Sequence, residues 1–232
     1  MVVLGHLNRA RTFKLGQSVL FEISRNPQNG KANLPFAVRT GETKVVCEMR
    51  PGKKVIAISG MPGAGKGVAS NAGRQLGLEV FVLGDVIREE TERRGLKPTP
   101  QNIGSVMLDI RAKEGPNVVV RRLLPKIEQA KSTIVIVEGI RSLHELNELR
   151  VKFEVISLAI HASPKSRFQR LLSRNRSDDP KTWEVFQERD FRELDVGLGH
   201  VLATADVVLT NEGSITELEA AFKVAFAKLN LQ

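Results

Sequence analysis

The chain is poor in several residue types that mark whole functional classes. It has one cysteine, Cys47, in 232 residues, so no disulfide forms within it, and this usage is expected of a reducing, cytoplasmic compartment. It has no tyrosine, one tryptophan and only 5% aromatic residues, which leaves little of the stacking surface on which single-stranded nucleic acid is held. Its longest apolar stretches, such as Val155 to Ile160, are strand-length and far short of a membrane span. The start, Met1-Val-Val-Leu-Gly-His6, is too short and too soon basic for a signal peptide. The four histidines, His6, His144, His161 and His200, are scattered, and no Ser-His-Asp or Cys-His grouping accompanies them. Nucleophilic catalysis is therefore not indicated.

What the chain does have is positive charge, +9 overall, which suits phosphate-bearing partners. Residues 1–50 carry eight Lys or Arg against three Glu, so +5 of that total falls in the first fifth of the chain. The balance of 41% hydrophobic and 26% charged residues is that of a globular protein, and the length allows one α/β domain with a small appendage.

Two regimes meet near Pro51-Gly52-Lys53-Lys54. Before it, Ser18 to Ile23, a turn at Asn26 to Gly30, Pro35 to Arg39 and Lys44 to Cys47 read as a short antiparallel meander. After it, β-branched runs alternate with helical periodicity, which predicts a parallel sheet flanked by helices. The expected strands are Val55 to Ser59, Glu79 to Leu83, Thr133 to Val137, Val155 to Ile160 and Val207 to Thr210. The expected helices are Lys66 to Leu76, Asp85 to Arg94, Asn102 to Lys113, Asn117 to Ala130, Ser142 to Arg150, Pro164 to Ser173, Pro180 to Leu194 and Ser214 to Leu229. Thr99-Pro100 and Asp179-Pro180 read as helix caps followed by proline in the first turn. The expectation is a basic β-rich extension over 1–50 and a P-loop α/β domain over 51–232, with five parallel strands and ligands at their carboxyl ends.

The segment Gly60-Met61-Pro62-Gly63-Ala64-Gly65-Lys66-Gly67 follows the first of those strands. A strand that ends in a glycine-rich turn and opens a helix directs backbone N–H groups and a helix N-terminus at one spot, where phosphate binds well. Lys66 adds a charge for the outer phosphates of a nucleotide. Gly67 stands where a Ser or Thr hydroxyl usually ligates Mg²⁺, and Val68 beside it has none. The metal must then be held by nucleotide oxygens, water and carboxylates from elsewhere.

Three further clusters fall at expected strand ends. After the second strand, Asp85 is placed to cap a helix and Arg88 lies one turn inside it, facing the same end of the sheet as the phosphate loop; the alternative is a mere cap and a surface charge. Glu138, at the exit of a buried strand beside the phosphate loop, suits Mg²⁺, and Arg141 offers a planar fork for phosphate or carboxylate. Arg167, Arg170 and Arg174 share one helical face, followed by Arg176, Asp178, Asp179, Arg189 and Arg192, a run that by itself reads as solvated surface. The last strand ends in a polar turn around Asn211.

Together these motifs resemble adenylate kinases: the Gly-x-Pro-Gly-x-Gly-Lys-Gly loop, Gly84-Asp85-x-x-Arg88, the acid-glycine-arginine segment Glu138 to Arg141, one residue shorter than in that family, and Arg176-Ser-Asp-Asp179 with Arg189. More closely, residues 55 to about 230 resemble an archaeal family of adenylate-kinase-related P-loop proteins, and the closing turn is also similar to that of dephospho-coenzyme A kinases. The resemblance implies that Arg88 and Arg141 grip an acceptor phosphate, that Arg176 and Arg189 belong to a short lid over the transferred phosphate, and that the turn at Asn211 lies by the adenine. Residues 13–33 resemble the last strands of a cold-shock-type barrel without its aromatic RNA-stacking strand.

The function expected is ATP-dependent phosphoryl transfer to a small phosphorylated acceptor, a nucleotide or a dephospho-coenzyme A-like molecule, with Glu138 and Asp85 organising Mg²⁺. Slow nucleotide hydrolysis, or nucleotide-regulated RNA binding through weak contacts of the basic first 50 residues, are the competing expectations. No membrane association is expected.

Overall fold

The computed structural model describes residues 11–14, 20–23, 37–40, 43–46 and 53–230. The chain divides into two units, Met1–Pro51 and Gly52–Gln232. In the first, β1 (Arg11–Lys14) pairs antiparallel with β2 (Leu20–Ile23), and β3 (Ala37–Thr40) pairs antiparallel with β4 (Thr43–Val46). The turn expected at Asn26 to Gly30 lies outside the described residues.

The second unit is a five-stranded parallel sheet built on β5 (Lys54–Ser59), β6 (Glu79–Val82), β7 (Ile134–Ile140), β8 (Glu154–His161) and β9 (Val207–Thr210), in the order β6-β7-β5-β8-β9. Its helices are α1 (Lys66–Gln75), α2 (Leu83–Arg93), α3 (Pro100–Glu114), α4 (Val118–Gln129), α5 (Leu143–Lys152), α6 (Pro164–Arg174), α7 (Trp183–Asp195), α8 (Leu198–Ala203) and α9 (Ile215–Asn230). The run Val55-Ile-Ala-Ile58 has no polar face because both faces of the central strand are covered. Val55, Ala57, Val135 and Val137 pack on one side with Ile87 of α2, Ile110 of α3, Leu123 and Ile127 of α4 and Leu146 of α5. Ile56, Ile58, Ile136, Leu158 and Ile160 pack on the other with Ala69 and Ala72 of α1 and Leu218 and Phe222 of α9. This alternation is the period of two that a strand imposes. Helix α1 lies so close to the sheet that a Cβ on Gly73 would fall 2.2 Å from Ile136 Cδ1.

From β5 the chain goes first to β6 and β7 on one side and then crosses from β7 to β8 and β9 on the other, so the strand order reverses beside β5 and a crevice opens at the carboxyl ends of these strands. Four details depart from the sequence expectations near that crevice. Strand β7 continues to Ile140 rather than stopping at Val137, because Gly139, at φ +97°, takes up an irregularity in the β5–β7 register without ending the pairing. Glu138 is thus within the strand. Helix α2 follows β6 directly, so Asp85 sits in its first turn and is not its cap; the capping position is Val82. Helix α7 begins at Trp183 under a Thr182 cap, not at Pro180, because the Asp179 carboxylate is taken by Arg174 and by the Arg176 N–H. The short α8, started by Gly197 at φ +110°, had no counterpart in the sequence reading. At Thr99-Pro100 the cap forms as expected, with the threonine hydroxyl accepting from Asn102 N.

Candidate functional site

The turn from Gly60 to Lys66 sits at the end of β5, and its glycines answer to geometry. Gly63 and Gly65 hold φ of +80° and +107°, which side chains rarely adopt. There is also no space: a Cβ on Gly63 would lie 2.6 Å from the Arg167 carbonyl oxygen, and one on Gly65 would lie 2.4 Å from Asn211 Nδ2. Gly65 then stands at the N-cap of α1, so the first amides of that helix are free for an anion.

Lys66 is folded into the loop, its Nζ donating to the carbonyl oxygens of Gly60 at 2.7 Å and Met61 at 3.2 Å. Burial lowers its pKa to about 8, against the pull of Glu138 and with the help of Arg141. Met61 and Ala64 are buried beneath the loop, and the Ala64 carbonyl accepts from Asn211 Nδ2 at 2.9 Å. Gly67 is exposed, and a side chain there would meet no atom within 4 Å.

A cleft of about 880 Å³ opens over this loop. Gly60, Pro62, Gly63, Gly65, Lys66, Gly67 and Val68 line it, as do Asp85, Arg88, Glu138, Arg141, Arg176, Arg189 and Asn211. Of the residues singled out in the sequence, Met61, Ala64, Arg167, Asp178, Asp179 and Arg192 are not on its wall.

The cations of the cleft are held by acids, of which the sequence showed Asp85, Asp178 and Asp179 but not Glu145 and Glu193. Arg141 Nε donates to Glu193 at 2.6 Å, and the Arg141 backbone N–H donates to Glu145 at 2.7 Å. Glu145 is itself fixed by Arg111 at 2.6 Å and lies at the start of α5, which Ser142 caps. Burial alone would raise the pKa of Glu193, but Arg141, Arg189 and Lys66 around it hold it below the usual carboxylate range. Arg88 pairs with Asp85 at 2.6 Å and, from the segment between α6 and α7, with Asp178 at 3.4 Å. Arg189 donates to the Asp178 carbonyl at 2.9 Å and has that residue's carboxylate at 3.8 Å. Arg176 is exposed, held through its backbone to Asp179 at 3.0 Å.

The three arginines of the α6 face divide their tasks. Arg174 binds Asp179, Arg170 donates to the Asn211 carbonyl at 2.9 Å, and both line the cleft. Arg167 is 3% exposed and faces inward. Asn211 spends its amide on the loop, its N–H on the His161 carbonyl at 2.7 Å and its carbonyl on Arg170, so it braces the loop against β8 and α6.

For Mg²⁺, the donors have the right chemistry. Glu138 presents a carboxylate to the cleft, beside the phosphate loop, and Asp85 lies on the same wall but is engaged with Arg88. No group of three or more His, Cys, Asp or Glu side chains suited to a metal occurs among the described residues. One or two carboxylates, with nucleotide oxygens and water, are what Mg²⁺ commonly takes from a protein.

Residues 59–187 match a family described as the AAA domain. A UPF0200 protein of Hyperthermus butylicus is 43% identical over 178 residues, covering 77% of this chain and 96% of the relative. A UPF0200 protein of Pyrococcus furiosus is 46% identical over 171 residues, covering 72% and 92%. The chain belongs to the UPF0200 family and to the family of the AAA domain. Among solved structures it is similar to TT1252 from Thermus thermophilus, at 21% identity and a TM-score of 0.53 over 77% of this chain and 98% of that one. It is also similar to shikimate kinase from Acinetobacter baumannii, at 18% identity and a TM-score of 0.50 over 78% and 97%. Those likenesses establish the P-loop kinase-like fold of this UPF0200 chain, with its parallel sheet flanked by helices.

Proposed function

We propose that this UPF0200 protein transfers the γ-phosphoryl group of ATP to a small phosphorylated acceptor, a nucleotide or a dephospho-coenzyme A-like molecule. The observation that carries the reading is the convergence in one cleft of the phosphate loop, Lys66, four arginines from separate elements and the carboxylate of Glu138. The loop amides and Lys66 hold the donor phosphates, and the turn after Asn211 takes the base. Arg88 and Arg141 grip the acceptor phosphate, while Arg176 and Arg189 bring charge from the lid to the phosphoryl group in flight. With a phosphate as acceptor, its oxygen bonds to the γ-phosphorus as the bond to the β,γ-bridging oxygen breaks; ADP leaves and no proton need move, so no general base is required. With a dephospho-coenzyme A-like acceptor the attacking group is a hydroxyl, and its proton passes to a carboxylate of the cleft wall or to water as the same bond breaks and ADP leaves. Glu138, with Asp85, would hold Mg²⁺, which would supply positive charge to the nucleotide phosphates.

A second reading, slow hydrolysis with water in the acceptor's place, draws on the open space at Gly67. Incubating the protein with ATP and each nucleoside monophosphate or dephospho-coenzyme A, then analysing products by mass spectrometry, separates the two. A phosphorylated acceptor supports transfer, and ADP with phosphate alone supports hydrolysis.

Residues 1–50 are proposed to be an accessory basic extension to the catalytic domain over 51–232, able to add weak contacts to polyanions. Support comes from their charge and from matches that span nearly all of each relative but about three quarters of this chain. No described helix is long and apolar enough to cross a membrane, and a cytoplasmic setting is proposed from the single cysteine.

A further inference from the structure

The hydroxyl missing from the end of the phosphate loop has a counterpart one turn further along α1. Ser70 is fully buried, and its Oγ donates to Glu138 Oε2 at 2.5 Å. Helical hydroxyls ordinarily return to the carbonyl four residues back. In this protein Thr91, Ser173 and Thr204 do so, bonding the carbonyls of Ile87, Gln169 and His200 at 2.7, 3.0 and 2.8 Å. Ser70 instead reaches out of its helix to an acid on the neighbouring strand.

The acid it reaches faces the cleft, while Ser70 itself does not line it. The hydroxyl therefore approaches Glu138 from behind and occupies one of its two oxygens, leaving the other for the cleft. Crowding does not explain why the loop hydroxyl is gone, since a Cβ at Gly67 would meet nothing within 4 Å. In a site short of direct protein ligands, the orientation of the single well-placed carboxylate matters more, and a hydrogen bond from behind is the usual means of fixing it.

We infer that Ser70 is a positioning residue for the divalent cation that accompanies the nucleotide: its hydrogen bond locks Glu138 in the orientation that receives the metal, in place of the hydroxyl that P-loops commonly supply directly. This inference rests on the nucleotide and Mg²⁺ reading of the cleft.

The test is Mn²⁺ affinity of the protein–ATP complex, read by electron paramagnetic resonance, alongside ATP affinity in the presence of a chelator and thermal stability. In Ser70→Ala, Mn²⁺ binding should weaken by about tenfold, the low end for loss of an outer-shell partner, with metal-free ATP binding within twofold of wild type. In a Glu138→Gln background, the same substitution should have no further effect on Mn²⁺. Unchanged Mn²⁺ affinity in Ser70→Ala, or an equal loss of metal-free ATP binding, overturns the inference and assigns Ser70 to packing. If wild type retains ATP but the complex takes up no Mn²⁺, the metal reading falls together with the inference; if wild type binds no ATP, the reading of the cleft falls first.

Discussion

Arg167 and Asp190 form a two-pronged pair, Nη1 at 2.8 Å and Nη2 at 2.5 Å from the two carboxylate oxygens. The same Nη1 donates to the Pro62 carbonyl of the phosphate loop at 3.1 Å, Nε donates to Ala162 at 3.1 Å, and the guanidinium lies 4.9 Å from the centre of the Phe186 ring. One buried side chain thus ties the phosphate loop, α6 and α7 together, and α7 carries Arg189 and Glu193 into the cleft. The loop and the helix that holds its counter-charges are thereby joined through one guanidinium.

Arg167→Ala should therefore act on stability. It strands the Asp190 carboxylate and removes two carbonyl partners, a loss of about 3–5 kcal/mol by comparison with other broken buried pairs. Denaturant unfolding measures it. Arg176→Ala, on an exposed residue of the proposed lid, should leave the unfolding midpoint unchanged while lowering the rate of transfer. Equal stability in the two variants would remove Arg167 from this role.

Lys66 should make nucleotide affinity sensitive to pH in an unusual range. Its pKa in the nucleotide-free protein is about 8, lowered by burial from 10.5, and phosphate binds the charged form. ATP affinity, measured by calorimetry, should hold up to about pH 8 and then fall by up to tenfold per unit. The effect on stability has the opposite sign. Between 8 and 10.5 the unfolded chain binds more protons at this site than the folded one, so its contribution to nucleotide-free stability rises with pH. Lys66→Ala should abolish turnover and flatten the affinity profile with the fold intact; an unchanged profile would separate the titration from Lys66.

Arg88→Lys and Arg141→Lys should each raise the KM for acceptor by tenfold or more and leave ATP affinity within about threefold, because lysine keeps the charge but loses the planar fork. Arg141 should be the more sensitive of the two, since its Nε is already oriented by Glu193 at 2.6 Å and its backbone by Glu145 at 2.7 Å. Steady-state kinetics with each substrate varied in turn provides the check. Equal damage to both substrates would contradict the division between donor and acceptor sites.

Removing residues 1–50 should leave a folded domain with unchanged ATP binding, since the phosphate loop, the five parallel strands and every proposed site residue lie beyond the cut. The loss should be confined to salt-sensitive retention on polyanions, because +5 of charge goes with the segment. Circular dichroism and calorimetry test the first half, and binding to a polyanion across a salt series tests the second. An insoluble truncated chain would refute the accessory role.

The sheet and the phosphate loop were legible in the sequence because each rests on local pattern. Apolar β-branched runs give the strands, and glycines with a lysine at fixed spacing give the loop. The placement of Asp85, Arg88, Glu138 and Arg141 followed from their positions near strand ends, although the bulge at Gly139 and the direct passage from β6 into α2 moved two of those boundaries. What could not be read were pairings between residues far apart in the chain. Arg167 with Asp190, Arg141 with Glu193, Arg88 with Asp178 and Ser70 with Glu138 join different elements, and no periodicity announces them. Arg167 looked like one of three equivalent arginines on a helix face; only packing shows that it points inward while Arg170 and Arg174 reach the cleft. Ser70 gave no signal, because an isolated serine in a helix carries no spacing to notice.

The central claim is transfer to an acceptor, and the most direct test follows the fate of the γ-phosphoryl group. With ATP labelled with ³²P at the γ position, the protein should place the label on one of the nucleoside monophosphates or on dephospho-coenzyme A in an amount equal to the ADP formed. Release of inorganic phosphate should be minor and should not increase when the acceptor is present. Label found only in inorganic phosphate, at the same rate with every acceptor and with none, would contradict the account and leave an enzyme that hydrolyses its nucleotide.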